Sequence, residues 1–212
     1  MVLGMFVIIM FGARISGSHY NPLITFSYVI GNVKQGKFDR ILGLFYILAQ
    51  FAGACAAGFM NWFLNGINDY NVILTTDKFW RSTLAEITGA FILVFMYLLS
   101  TEPKTKFTKD HLLQTIVLAG SYLAAMNFAG SYVELIFISP VNPAIALTMI
   151  LFNSSKLGWK SFWIFTMLGF VGSLLAYLFF RFAYVKTIEI SDEIDRDEAE
   201  MEENNKDALL AE

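Results

Sequence analysis

"SGSHYNPLIT", residues 16–25, sets an Asn-Pro pair after small polar residues and between two apolar runs. Such a pair starts a helix well. Asn at the N-cap accepts a bond from an unpartnered backbone N–H of the first turn, and Pro at the first helical position lacks only a donor that would be idle anyway. A lone Asn-Pro ordinarily marks a surface turn. Here a second copy changes the reading: "NPLITFSYVI" at 21–30 is matched by "NPAIALTMIL" at 142–151. Further on, "FAGACA" from residue 51 is matched by "FVGSLL" from residue 170. The separations, 121 and 119 residues, stay in register, so the chain repeats internally.

The surroundings of both copies are membrane-like. Hydrophobic residues make up 56% of the chain and mean hydropathy is +0.55, which is high for a soluble domain and ordinary for a multi-pass membrane protein. Apolar stretches at 41–64, 83–100, 112–133 and 160–185 are long enough to span a bilayer. The stretches that follow each Asn-Pro, 21–30 and 142–152, are not. A helix of about ten residues rises about 15 Å, half a bilayer. An odd number of spans between the copies inverts the second relative to the first, which is the plan of transport proteins with a site at the membrane midplane. The two half-helices then enter from opposite faces and meet at their N-termini. Each N-terminus carries about half a positive charge, and the pair opposes cations and protons. Irregular backbone before each cap is tolerated at that depth where it lines a watery cavity.

The N-terminal "MVLGMFVIIMFGAR" has no basic leader region, and its roughly 13 apolar residues fall short of the about 17–25 needed to cross. Nine basic residues fall on one side of the predicted spans (Arg14, Lys34, Lys37, Arg40, Lys104, Lys106, Lys109, Arg181, Lys186) and four on the other (Lys78, Arg81, Lys156, Lys160). That bias makes the first side cytosolic. From Glu189 onward, eleven acids stand against two bases. This predicts a transmembrane domain over 1–188 and a solvated, disordered cytosolic tail over 189–212. The single cysteine, Cys55, excludes a disulfide framework and reads as a small packing residue. Trp62, Trp80, Trp159 and Trp163 lie near predicted helix ends and read as interfacial anchors. The sequon at 153–155 sits too close to the membrane to be used. His19 and His111 are far apart in the chain, and no metal-ligand spacing or nucleophile-base pattern appears, so neither an enzyme nor a cofactor nor nucleic-acid binding is indicated.

These residues resemble the aquaporin, or major intrinsic protein, family. "ISGSHYNPLIT" is similar to its first signature, with Leu23 in place of Ala in the triplet Asn21, Pro22, Leu23. "VNPAIAL" carries the second triplet intact at Asn142, Pro143 and Ala144. "YILAQFAGA" (46–54), "AEITGAFILVF" and "FWIFTMLGFVGS" are similar to its third, fourth and sixth helices. The resemblance covers about residues 5–185. It implies an all-α membrane protein, an inverted-repeat helical bundle with two re-entrant half-helices. It also implies a homotetramer in a lipid bilayer, and passive flow of water or small uncharged solutes. By the same resemblance, Asn21 and Asn142 donate to the permeant. Gly17, Ser18 and His19 line the cytosolic vestibule, and Ile138, Ser139 and Pro140 the outer one. Glu86 matches the buried carboxylate that supports a re-entrant loop, and Gln50 is a further structural support.

Three departures bear on transport. Ile145 stands where the family's selectivity arginine follows the second triplet, so the filter lacks a fixed charge and a hydrogen-bonding fork. Phe128 and Gly130 both remain candidates for its fifth-helix position. Leu23 adds bulk where the triplets meet, enough to narrow the pore or shift Asn21. The family's first helix finds no counterpart and its second is shortened, which predicts a chain extending upstream of Met1. The leading expectation is a passive channel for water or small neutral, glycerol-like solutes. The rival is a degenerate, non-conducting structural subunit of a membrane assembly.

Overall fold

The computed structural model describes residues 2–31, 39–66, 76–130, 139–152 and 163–210, and every regular element among them is helical. Helix α1 covers Val2–Ser16, α2 Pro22–Gly31, α3 Arg40–Asn65, α4 Thr76–Thr101, α5 His111–Gly130 and α6 Pro143–Phe152. A π-helical turn, Trp163–Leu168, leads into α7, Gly169–Phe179, and a second π-helical turn, Phe180–Tyr184, leads into α8, Val185–Leu210. Four helical runs are long and apolar enough to cross a membrane: Arg40–Asn65, Phe79–Thr101, His111–Gly130 and the continuous Trp163–Asn204. With α1, α2 and α6 as shorter apolar helices, these make the chain an integral membrane protein of the re-entrant helical type expected.

Local chemistry sets the helix boundaries. Asp110 caps α5, its Oδ1 accepting from Leu112 N at 2.7 Å. Gly66, at φ 73°, closes α3 by donating from its N–H to the Trp62 carbonyl, and Gly17, at φ 75°, ends α1 in the left-handed conformation that glycine takes without strain. Because α2 and α6 begin with Asn-Pro and run only 10 residues each, neither crosses the bilayer.

The chain forms two compact units, Met1–Tyr177 and Leu178–Glu212. In the first, α4 packs along α5 and α1 packs on α5, while α2 and α6 are held against α3 and against each other. Glycine lets two of these crossings close. A Cβ on Gly89 would meet the Ala125 carbonyl at 2.9 Å, and one on Gly172 would run into the Ile87 carbonyl. Helix α3 turns Ile41, Leu44, Phe45, Leu48 and Phe63 outward, a surface suited to lipid. Trp62, Trp80 and Trp163 are exposed, and Trp159 lies outside the described residues. Cys55 is half-buried, its sulfur 3.9 Å from the Thr148 hydroxyl.

In the second unit, where disorder was expected from residue 189, the chain is helical through Leu210. The reason lies in residue type. Glu, Ala, Met and Lys favour helix, and Lys186 pairs with Glu189 at 2.8 Å one turn apart. The described acidic side chains of this unit are mostly exposed.

Candidate functional site

The two Asn-Pro caps meet. Asn21 Nδ2 donates to the carbonyl of Val141 at 2.8 Å, and Asn142 Nδ2 donates to the carbonyl of Tyr20 at 3.0 Å. Each asparagine thus holds the residue that precedes the other. Each also caps its own half-helix: Asn21 Oδ1 accepts from Leu23 N at 2.9 Å, and Asn142 Oδ1 accepts from Ala144 N at 3.1 Å. The clasp is made from both sides by residues 121 apart, and the backbone repeats with it. Tyr20 and Val141 sit at nearly equal positive φ, 43° and 42°, a strained region for side-chain-bearing residues that turns each carbonyl toward the opposite cap.

The supports come from three other helices. Glu86 on α4 accepts a hydrogen bond from the Ser139 hydroxyl, and Ser139 Oγ accepts from Val141 N at 3.3 Å, so the carboxyl steadies the loop before α6. Glu86 is 1% exposed. Gln50 on α3 donates from Nε2 to Thr25 Oγ1 at 2.9 Å, steadying α2 in the same manner. His19 joins that group, with Nδ1 3.2 Å from Thr25 Oγ1 and its ring packed among Tyr28, Tyr46 and Tyr97. Ser18 donates to the Ile9 carbonyl at 2.9 Å, and Tyr97 donates to the Gly17 carbonyl. Pro140 is buried beside Ser139, and Ile138 lies outside the described residues.

A cavity of about 440 Å³ reaches Asn142 from one side and is lined by Ser16, His19, Tyr20, Gln50 and Ile145. A second, of about 350 Å³, is lined by Asn61, Thr148 and Met149 and shares Ala54 and Ile145 with the first. Ile145 therefore stands where the two cavities adjoin, and it is 39% exposed. The candidates for its fifth-helix partner separate. Phe128 lines a different pocket, with Arg81, Leu84 and Thr88. Gly130 is buried at the end of α5.

Leu23 neither narrows the meeting point nor displaces Asn21. Its side chain is fully buried and its methyls face Gly169 on α7, whose missing Cβ leaves the room it fills. Asn21 makes the same clasp and cap bonds as Asn142. Sequence reasoning missed Tyr122 on α5, whose hydroxyl accepts from Asn21 Nδ2 at 2.7 Å. Nothing in its local sequence, "AGSYLAAM", marks it.

The family profile described as "Major intrinsic protein" matches residues 1–180. The chain is 32% identical over 184 residues to Aquaporin PIP2-7 of Arabidopsis thaliana, covering 81% of this chain and 61% of that protein. It is 30% identical over 188 residues to "Probable aquaporin PIP2-1" of Oryza sativa subsp. japonica, covering 84% and 61%. With "Aquaporin PIP-type" of Atriplex canescens the identity is 31% over 182 residues, covering 81% and 61%. The chain spans about 61% of the length of these relatives.

Proposed function

The chain belongs to the major intrinsic protein family, and from that premise we propose that it is a passive channel for water and small neutral solutes, whose path runs past Asn21 and Asn142. The observation that carries the reading is the reciprocal clasp, in which two half-helix N-termini are held together by the asparagines that cap them. Two positive helix ends meeting in a medium of low dielectric raise the barrier to cations and protons, while a neutral solute meets only hydrogen-bonding groups. Ile145, in place of a guanidinium, removes a charged donor set from the outer constriction and favours glycerol-like solutes alongside water. The channel is a homotetramer in the bilayer, with 1–188 as its transmembrane domain and the acidic segment on the cytosolic side.

Stopped-flow swelling of proteoliposomes holding the full chain tests this. Water and glycerol flux above that of empty vesicles is expected; flux equal to theirs for both solutes would leave the rival, a non-conducting structural subunit of a membrane assembly. One observation favours that rival, and it is the bond between Tyr122 and Asn21.

A further inference from the structure

Asn21 has two side-chain N–H groups, and both are engaged. One reaches the Val141 carbonyl, 2.8 Å away, as the clasp requires. The other, which the channel reading assigns to the permeant, is 2.7 Å from the Tyr122 hydroxyl. Asn142, across the clasp, gives its side-chain N–H to Tyr20. A phenol oxygen on the Asn21 amide holds the place that a water or alcohol oxygen would take in crossing there. Burial agrees with occupancy: Asn21, Asn142 and Tyr122 are 0%, 3% and 5% exposed. The larger cavity reaches Asn142 but is not lined by Asn21 or Tyr122.

We infer that Tyr122 is an internal plug: its hydroxyl stands in for the permeant at the Asn21 amide, and the constriction is closed until the ring moves aside. The inference rests on the channel reading and adds to it a residue from outside both signature triplets. It also gives the site a built-in selectivity. To pass, a solute must replace a hydroxyl bonded by the Asn21 amide, so it must itself offer an oxygen acceptor. Apolar molecules of the same size offer none.

The experiment compares wild type, Tyr122→Phe and Tyr122→Val, each as full chain in proteoliposomes and each checked for an unchanged thermal unfolding midpoint. Phe keeps the ring and removes only the oxygen; Val also removes the bulk. Water permeability is expected to rise in the order wild type, Phe, Val, by about threefold to tenfold overall if one hydrogen bond and the ring are what must be displaced. Wild-type conduction with no gain in either variant would overturn the plug and leave the channel. Absence of flux from all three would overturn both. A second readout does not depend on transport: hydrogen exchange of the Asn21 side-chain amide, followed by NMR, should quicken by about tenfold in Tyr122→Phe, as expected when a protected donor is released. Unchanged exchange would overturn the plug even if Tyr122→Val proved too unstable to assay.

Discussion

Leu23 and Gly169 fit each other across 146 residues of sequence: an ideal Cβ on Gly169 would lie 3.0 and 3.2 Å from the two methyls of Leu23. Nearby, the Ser173 hydroxyl donates to the Leu23 carbonyl at 2.7 Å, so α7 holds both the side chain and the backbone of this triplet residue. Leu23→Ala should therefore act on stability, through a cavity under α7, rather than by widening the path. The expected cost is about 2–4 kcal/mol. Thermal unfolding in detergent measures it, and a variant as stable as wild type would show that Leu23 is not packed there. The complementary change, Gly169→Val, should destabilise by overpacking, by about 1–3 kcal/mol.

Two glycines, Gly172 and Gly120, separate close packing from mere helix content. A side chain on Gly172 would strike the Ile87 carbonyl and lie 2.9 Å from the Ala90 Cβ, whereas one on Gly120 would meet nothing within 4 Å. Gly172→Ala should force α7 away from α4 and cost about 1–3 kcal/mol. Gly120→Ala should leave stability unchanged or raise it by up to about 1 kcal/mol, since alanine is the better helix former. Unfolding midpoints of the two variants, measured side by side, should move in opposite directions or differ clearly in size.

The loop before α6 depends on Ser139. Its hydroxyl donates to Glu86 and accepts from Val141 N, and Val141 in turn supplies the carbonyl that Asn21 holds. Ser139→Ala leaves a buried carboxyl without its only described donor and is expected to cost about 1–3 kcal/mol. Ser139→Thr keeps the hydroxyl and should recover most of the loss. Equal destabilisation by both would point to crowding rather than to the hydrogen bond.

What was legible in the sequence is what is local or repeated. The Asn-Pro caps, the half-helices of 10 residues and the four long apolar runs all follow from spacing and residue type. The resemblance of the patches around them singled out Glu86 and Gln50, which bond Ser139 and Thr25. The direction of Leu23 was not legible, because bulk is a property of the residue whereas the space that receives it belongs to Gly169 on a distant helix. Tyr122 was hidden for the same reason. It meets Asn21 across 101 residues, and a tyrosine on an apolar helix carries no sign that its hydroxyl will end on a cap asparagine. The acidic segment shows a different limit. Charge says that it is solvated, while helix formation depends on finer preferences among Glu, Lys, Ala and Met.

Ile145 tests whether solutes pass where the two cavities adjoin. It follows the second triplet directly and is partly exposed, so a longer side chain can be placed there without displacing buried neighbours. Ile145→Arg would add a fixed positive charge and several donors at that junction. Water can satisfy those donors singly and slip past, but a three-carbon polyol must shed more of its hydration and thread a narrower gap. Glycerol permeability should fall relative to water by about tenfold, the ratio that ~1.4 kcal/mol of discrimination produces. The measurement is the ratio of glycerol to water flux in matched proteoliposomes, taken in the Tyr122→Phe background so that the central constriction does not limit both. A ratio unchanged by arginine would move the selective step away from Ile145, to the asparagine pair itself.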